Sequence, residues 1–366
     1  MNEIVSALLE AVFSLPVLSS RSVEIDRFLR EIEETDLSSP IKPEHRALYL
    51  LKKGDLSCGR KDFAAFEEYS RRALAAAAIL KDEALKGTAS AFLLRAVLRT
   101  GQLEEAGELA AGVERKIRDG LSTDLFSIVS RMALAEFNLE NKNVSPAVLY
   151  FKSAESFAEG KERFGHERYN ANLSLALCQE MRGDFEKALD ALERCRSIAS
   201  QESAVEEEIE VIFPIANLLT GQKRYAESVN LLERGVKLCE ETNREIQKAV
   251  FLTQTALNRM SVAEYEDARR DALAAQWIYT KNNDIMGYIQ TVGLISASHA
   301  AEKNFEEAYR ILSYSAAVMK KHGKKEAEEI LRRMVGDLRK NIGEDKFDWM
   351  AKAMYEREKE RLGSKN

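Results

Sequence analysis

Five prolines are spread over 366 residues, too few to interrupt a chain that reads as helix almost throughout. Cysteine is scarcer still. Cys58, Cys178, Cys195 and Cys239 include no Cys-x-x-Cys pair, which argues against a disulfide framework and leaves free thiols in a reducing, cytoplasmic setting as the expectation. The four histidines, His45, His166, His299 and His322, form no His-Glu-x-x-His motif, so no metal is expected. No apolar run approaches the roughly 18 residues that a membrane span needs. The apolar stretch from Ile4 to Phe13 contains Glu10 and lacks a basic start, so it reads as a packing helix, not a secretion signal. Charge of one sign is not in excess either. The net charge is −6, and residues 320–366 hold 14 Lys and Arg against 10 Asp and Glu, short of the basic balance of a nucleic-acid binder.

What the chain does have is a repeat. Phe63, Leu103, Val144, Phe185, Tyr225, Tyr265 and Phe305 follow one another at a near-constant period of about 40 residues. Self-similarity of this kind marks a solenoid, whose units bury their apolar faces only by stacking, so its core grows along one axis. Small residues keep the same register. Nine places before these anchors stand Gly54, Leu94, Ala135, Ala176, Ala216, Ala256 and Ser296; three places after stand Phe66, Ala106, Ala147, Ala188, Ser228, Ala268 and Ala308. Ten places after come Ala73, Val113, Ala154, Cys195, Gly235, Ala275 and Ser315, with Leu94, Phe66 and Val113 as the misfits. Close helix packing needs short side chains at such points.

The pattern predicts paired helices. First helices are expected over 44–58, 83–100, 122–140, 164–182, 203–220, 244–260 and 284–302, and each second helix is expected to start at its anchor. Gly59, Gly101, Asn141, Gly183, Gly221 and Asn304 are expected to end the first helices, because Gly and Asn tolerate a left-handed cap. The sixth turn, at Met260-Ser261-Val262, has no glycine and is expected to be built differently. Two amphipathic helices, 2–14 and 21–35, precede the repeats, and two more follow Gly323.

These units resemble the tetratricopeptide repeat (TPR) family, with its small packing positions, its aromatic at the hairpin corner and turns such as Gly183-Asp184-Phe185. The resemblance implies an all-α, right-handed α-solenoid of about seven TPR-like hairpins over 41–322, with capping helices at 1–40 and 323–366. In that family the first helix of each pair lines a concave groove. Counting back from the anchors then selects Phe92, Arg95, Arg99, Met132, Glu136, Asn170, Ser174, Phe213, Asn217, Gln254 and Gln290 as groove residues. Amide side chains can satisfy the backbone of an extended peptide, and Phe and Met offer adaptable apolar contact. Arg95 and Arg99 could grip an acidic group or pair with Glu136 and Glu140. Pro214 lies inside a first helix and withdraws the amide that would bond the carbonyl of Glu210.

The expected function is a non-enzymatic adaptor that binds a protein or peptide segment, without nucleic acid, membrane insertion or cofactor; the oligomeric state is open. The alternative is a peptide-responsive receptor, since Rap-type bacterial regulators resemble this chain in length and in their run of long helical repeats. Gly54–Lys61 has the glycines of a phosphate loop but not its Lys-Ser/Thr ending, and no nucleophile–base pair is evident. Cys178 and Cys195 read as packing residues, with a redox pair as the alternative.

Overall fold

The computed structural model describes residues 19–36 and 43–363. Among the described residues there are 17 α-helices, one short 3-10 turn and no strand. Helix α1 (Ser19–Asp36) buries Ile25, Leu29 and Ile32 and is tied by Asp26 to Arg60. The expected helix over 2–14 lies outside the described residues.

Seven hairpins follow. They are α2 (Pro43–Gly59) with α3 (Phe63–Ala78), α4 (Glu83–Arg99) with α5 (Leu103–Arg118), α6 (Asp124–Glu140) with α7 (Val144–Ala158), and α8 (Gly165–Met181) with α9 (Phe185–Gln201). Then come α10 (Val205–Gly221) with α11 (Tyr225–Glu241), α12 (Glu245–Ser261) with α13 (Tyr265–Lys281), and α14 (Ile285–Ala301) with α15 (Phe305–Lys321). Helices α16 (Lys325–Ile342) and α17 (Glu344–Gly363) close the described chain. Every anchor read from the sequence is the first residue of its second helix.

The chain divides into two compact units, residues 1–211 and 212–366, with the division inside α10. From Gly165 onward the helix starts are evenly spaced, at Gly165, Phe185, Val205, Tyr225, Glu245, Tyr265, Ile285, Phe305 and Lys325. Before Gly165 the second helices are shorter and the connectors after them longer, at four, five and six residues. The steps from Leu103 to Val144 and from Val144 to Phe185, each one place longer than the rest, span these longer connectors.

One turn design recurs throughout. The left-handed residue always stands two places before the anchor, and its occupants are Lys61, Gly101, Lys142, Gly183, Lys223, Ala263 and Lys303. The next amide donates back to the carbonyl five places earlier, as from Asp62 to Ser57, Gln102 to Val97 and Glu264 to Arg259, each at 2.9 Å. This double-bonded ending satisfies the last free carbonyls of the helix. Two expectations are corrected. Gly59 and Gly221 are the last residues of their helices, Asn141 follows its helix at φ −81°, and Asn304 caps the next one, so none of them is the left-handed residue. The sixth turn matches the others, with Ala263 at φ 64°.

The small-residue register is the packing register: all 21 of those positions are buried. One misfit, Phe66, is compensated by a glycine. Phe66 is large where its equivalents are small, and Gly54 faces it so closely that an added Cβ would lie 3.3 Å from the ring.

Candidate functional site

The face of each first helix on which groove residues are expected can be followed through the position eight places before the anchor. In the first three hairpins it holds charged residues that are almost fully enclosed: Asp55 (5% exposed), Arg95 (7%) and Glu136 (8%). Afterwards it holds Leu177, Asn217, Leu257 and Ala297, all exposed. The predicted groove residues therefore part company.

In the first unit, Phe92 and Met132 are buried, and Phe92 makes an edge-to-face contact with Phe66 at 6.3 Å. The Arg95 Nε donates to Glu136 Oε1 at 3.2 Å, and Arg99 reaches the other oxygen of the same carboxylate at 3.5 Å. Burial alone would lower the pKa of Arg95, but Glu136, Cys58 and Asp55 more than offset it, and the guanidinium stays charged. Of the two roles open to this pair of arginines, the structure shows ion pairing within the chain. Asn170 Nδ2 lies 2.9 Å from His166 Nε2, and Ser174 is half-buried. Phe164, from the connector before α8, is buried and lines one small cavity with Leu51, Lys52, Asp55 and Phe92.

The cysteines are free thiols. Burial pushes the thiols of Cys178 and Cys195 up, so neither is a ready thiolate, and Cys195 Sγ donates to the Tyr169 carbonyl at 3.3 Å.

The second unit carries an open cleft of about 570 Å³. Its walls are α12, α14 and α16, and two predicted residues, Gln254 and Gln290, line it. Phe213 is half-buried and Asn217 exposed, and neither belongs to the cleft lining. Apolar surface comes from Leu257, Leu294, Met334 and Leu338, and polar groups from the two glutamines, Thr253, Ser296, Asn341 and Asp337. Gly293 lets α14 approach Met334, because a Cβ there would stand 3.3 Å from its methyl carbon.

Sequence reasoning missed the contribution of α16, having read it as a cap. The signal was present in the register. Lys325 continues the even spacing of helix starts, and Met334, Asp337 and Asn341 stand one full period after Leu294, Ala297 and Ala301. Helix α16 thus continues the series of first helices.

No described helix is long and apolar enough to cross a membrane, and among the described residues no group of three or more His, Cys, Asp or Glu is placed to hold a metal. No family model matches the chain, and no curated protein matches it. Solved structures do. The apo form of RapI aligns with a TM-score of 0.60 at 12% identity, over 82% of this chain and 99% of that one. A signal-transduction ATPase with numerous domains and a tetratricopeptide repeat sensor, from Pyrococcus horikoshii, aligns with a TM-score of 0.57 at 13% identity, over 94% of this chain. This chain spans about half the length of that protein, 53%. Likeness at such identities is a likeness of fold, and the fold is that of TPR-type helical hairpins.

Proposed function

We propose that the cleft of the second unit binds an extended segment of a partner protein or a peptide, and that the chain works as a non-catalytic recognition scaffold. The observation that carries this reading is the composition of the cleft. A volume of about 570 Å³ falls within the roughly 300–1,000 Å³ of ordinary ligand pockets. Amide groups of Gln254, Gln290 and Asn341 can each donate to and accept from a peptide backbone, while Leu257, Leu294, Met334 and Leu338 take apolar side chains. Asp337 is the one acidic or basic side chain in the lining and Lys340 stands 3.7 Å from its carboxylate, so the cleft favours a largely neutral segment.

A second reading, a receptor for a free signalling peptide, uses the same cleft. It is supported by the likeness to RapI, which extends over 99% of that chain, and by the fact that the repeats of the Pyrococcus horikoshii protein are a sensor.

The test is retention of ligand from a lysate of the source cells by the intact chain and by a Gln254→Ala, Gln290→Ala, Asn341→Ala variant, with proteins and small peptides both identified by mass. A ligand held by the intact chain alone supports the cleft, and its size separates adaptor from receptor. Equal retention by both chains overturns it.

A further inference from the structure

The groove face of the first unit has the same offsets as the cleft of the second, yet it is covered by the chain itself. The covering piece is the longest connector between the hairpins, residues 159–164, together with the first turn of α8. Its 3-10 turn, Glu162–Phe164, sets Phe164 against Leu51, Lys52, Asp55 and Phe92, which stand 12, 11 and 8 places before the first anchor and 11 before the second. Those are groove positions.

We propose that residues 159–167 are an internal ligand, a strap that occupies the groove face of the first two hairpins and must leave it before a protein segment can lie there.

Three observations carry this. The strap is tied down at its edge by surface ion pairs, with Lys161 Nζ 2.9 Å and an Arg163 guanidinium nitrogen 2.7 Å from the Asp124 carboxylate. Its inner side is polar where a permanent core would be apolar: His166 Nε2 stands 3.9 Å from Asp55 Oδ1, and Glu167 lines the same small cavity as Asp55 and Lys52. Its fit is also imperfect, since Glu167 Oε2 and His166 Nδ1 are buried with no hydrogen-bond partner among the described residues. Buried polar atoms without partners subtract from stability, so the strap is held more weakly than the helix packing beneath it. An aromatic anchor on a short segment laid across groove positions is how a bound peptide would sit, and here the chain supplies it.

The strap defines its own probe, the synthetic peptide Glu-Gly-Lys-Glu-Arg-Phe-Gly-His-Glu-Arg of residues 159–168. Its binding is measured against the intact full chain, against Phe164→Ala, and against Lys161→Ala with Arg163→Ala, which removes both ties to Asp124 together with the guanidinium that stacks on Phe164 and lines its cavity, and leaves every apolar side chain in place. A covered site weakens apparent affinity by the fraction of molecules open, so both variants should bind the peptide about tenfold or more tightly than the intact chain does. In the intact chain, amides of 161–167 should exchange with solvent faster than those of α7, and faster still in the variants. Two results overturn the proposal: equal binding to intact chain and variants, or no binding to variants that still melt cooperatively. If Phe164→Ala fails to fold, the double lysine–arginine variant decides. Neither variant touches the cleft of the second unit, so failure here leaves that reading standing.

Discussion

The Cβ that Gly235 lacks would lie 2.7 Å from the ring of Phe251, a separation that real Cβ atoms do not tolerate. Gly235 sits inside α11 and Phe251 inside α12, both buried, so the glycine is what lets these two helices meet. Alanine at 235 gains about 1 kcal/mol of helix propensity but forces a packed ring to move, at about 1–3 kcal/mol. Gly235→Ala is expected to lower stability, whereas Gly112→Ala, in α5 with nothing within 4 Å of the new atom, should raise it by about 0.5–1 kcal/mol. Denaturant midpoints of the two variants check the opposite signs.

The turns offer a second test. Ala263 takes the left-handed conformation at φ 64°, where a side chain on Cβ costs roughly 1–2 kcal/mol, while Gly183 holds the equivalent place at φ 74° without that cost. Ala263→Gly should stabilise the second unit by about 1 kcal/mol net of the added chain entropy, and Gly183→Ala should destabilise the first by a similar amount. Thermal melts showing no change at Ala263 would mean that the turn differs from its neighbours after all.

The buried pair of Arg95 and Glu136 should behave asymmetrically. Removing Glu136 leaves an enclosed guanidinium without its carboxylate, so Glu136→Ala is expected to cost about 3–5 kcal/mol. Removing Arg95 costs less, because Arg99 still faces Glu136 at 3.5 Å. The double variant Arg95→Met with Glu136→Leu should return to within about 1 kcal/mol of the original stability. Chemical denaturation of the double variant beside its own single changes, Arg95→Met and Glu136→Leu, gives the coupling directly.

How far the sequence could be read follows from the range over which each feature is decided. Second-helix starts were legible to the residue because anchor, cap and left-handed turn lie within a few positions of one another, as at Gly183-Asp184-Phe185, whereas first-helix starts, which have no such anchor, were legible only to within two positions. The left-handed site itself was not, since Lys61, Lys142, Lys223 and Lys303 occupy it and lysine carries no turn signal. Packing positions were legible wherever residue size alone decides, and illegible where two partners trade sizes, as Phe66 does with Gly54. The groove was the least legible feature. Nothing local to Phe92 or Asp55 says that Phe164, beyond the third hairpin, shares a cavity with them, and nothing local to Met334 tells a terminal cap from an eighth first helix that lines a cleft.

Glu167 makes the packing of the first unit depend on pH. Burial first, and then the negative charge of Asp55, raise its carboxyl above the usual range, with His166 and Lys52 pulling it back; Arg163 lines the same cavity. The packed state therefore holds the proton more firmly than the unpacked one. Its contribution is fully present below the pKa of a free glutamate, about 4.3, and is lost as pH rises through the higher value of the packed state. Glu167→Gln keeps the shape of the protonated acid at every pH. The melting temperature of this variant should match the original near pH 4 and exceed it by a margin that widens toward neutrality, and the amides of 161–167 should be better protected in the variant at neutral pH. Parallel melting curves at all pH values would assign the titration to another group and leave Glu167 as a spectator in its cavity.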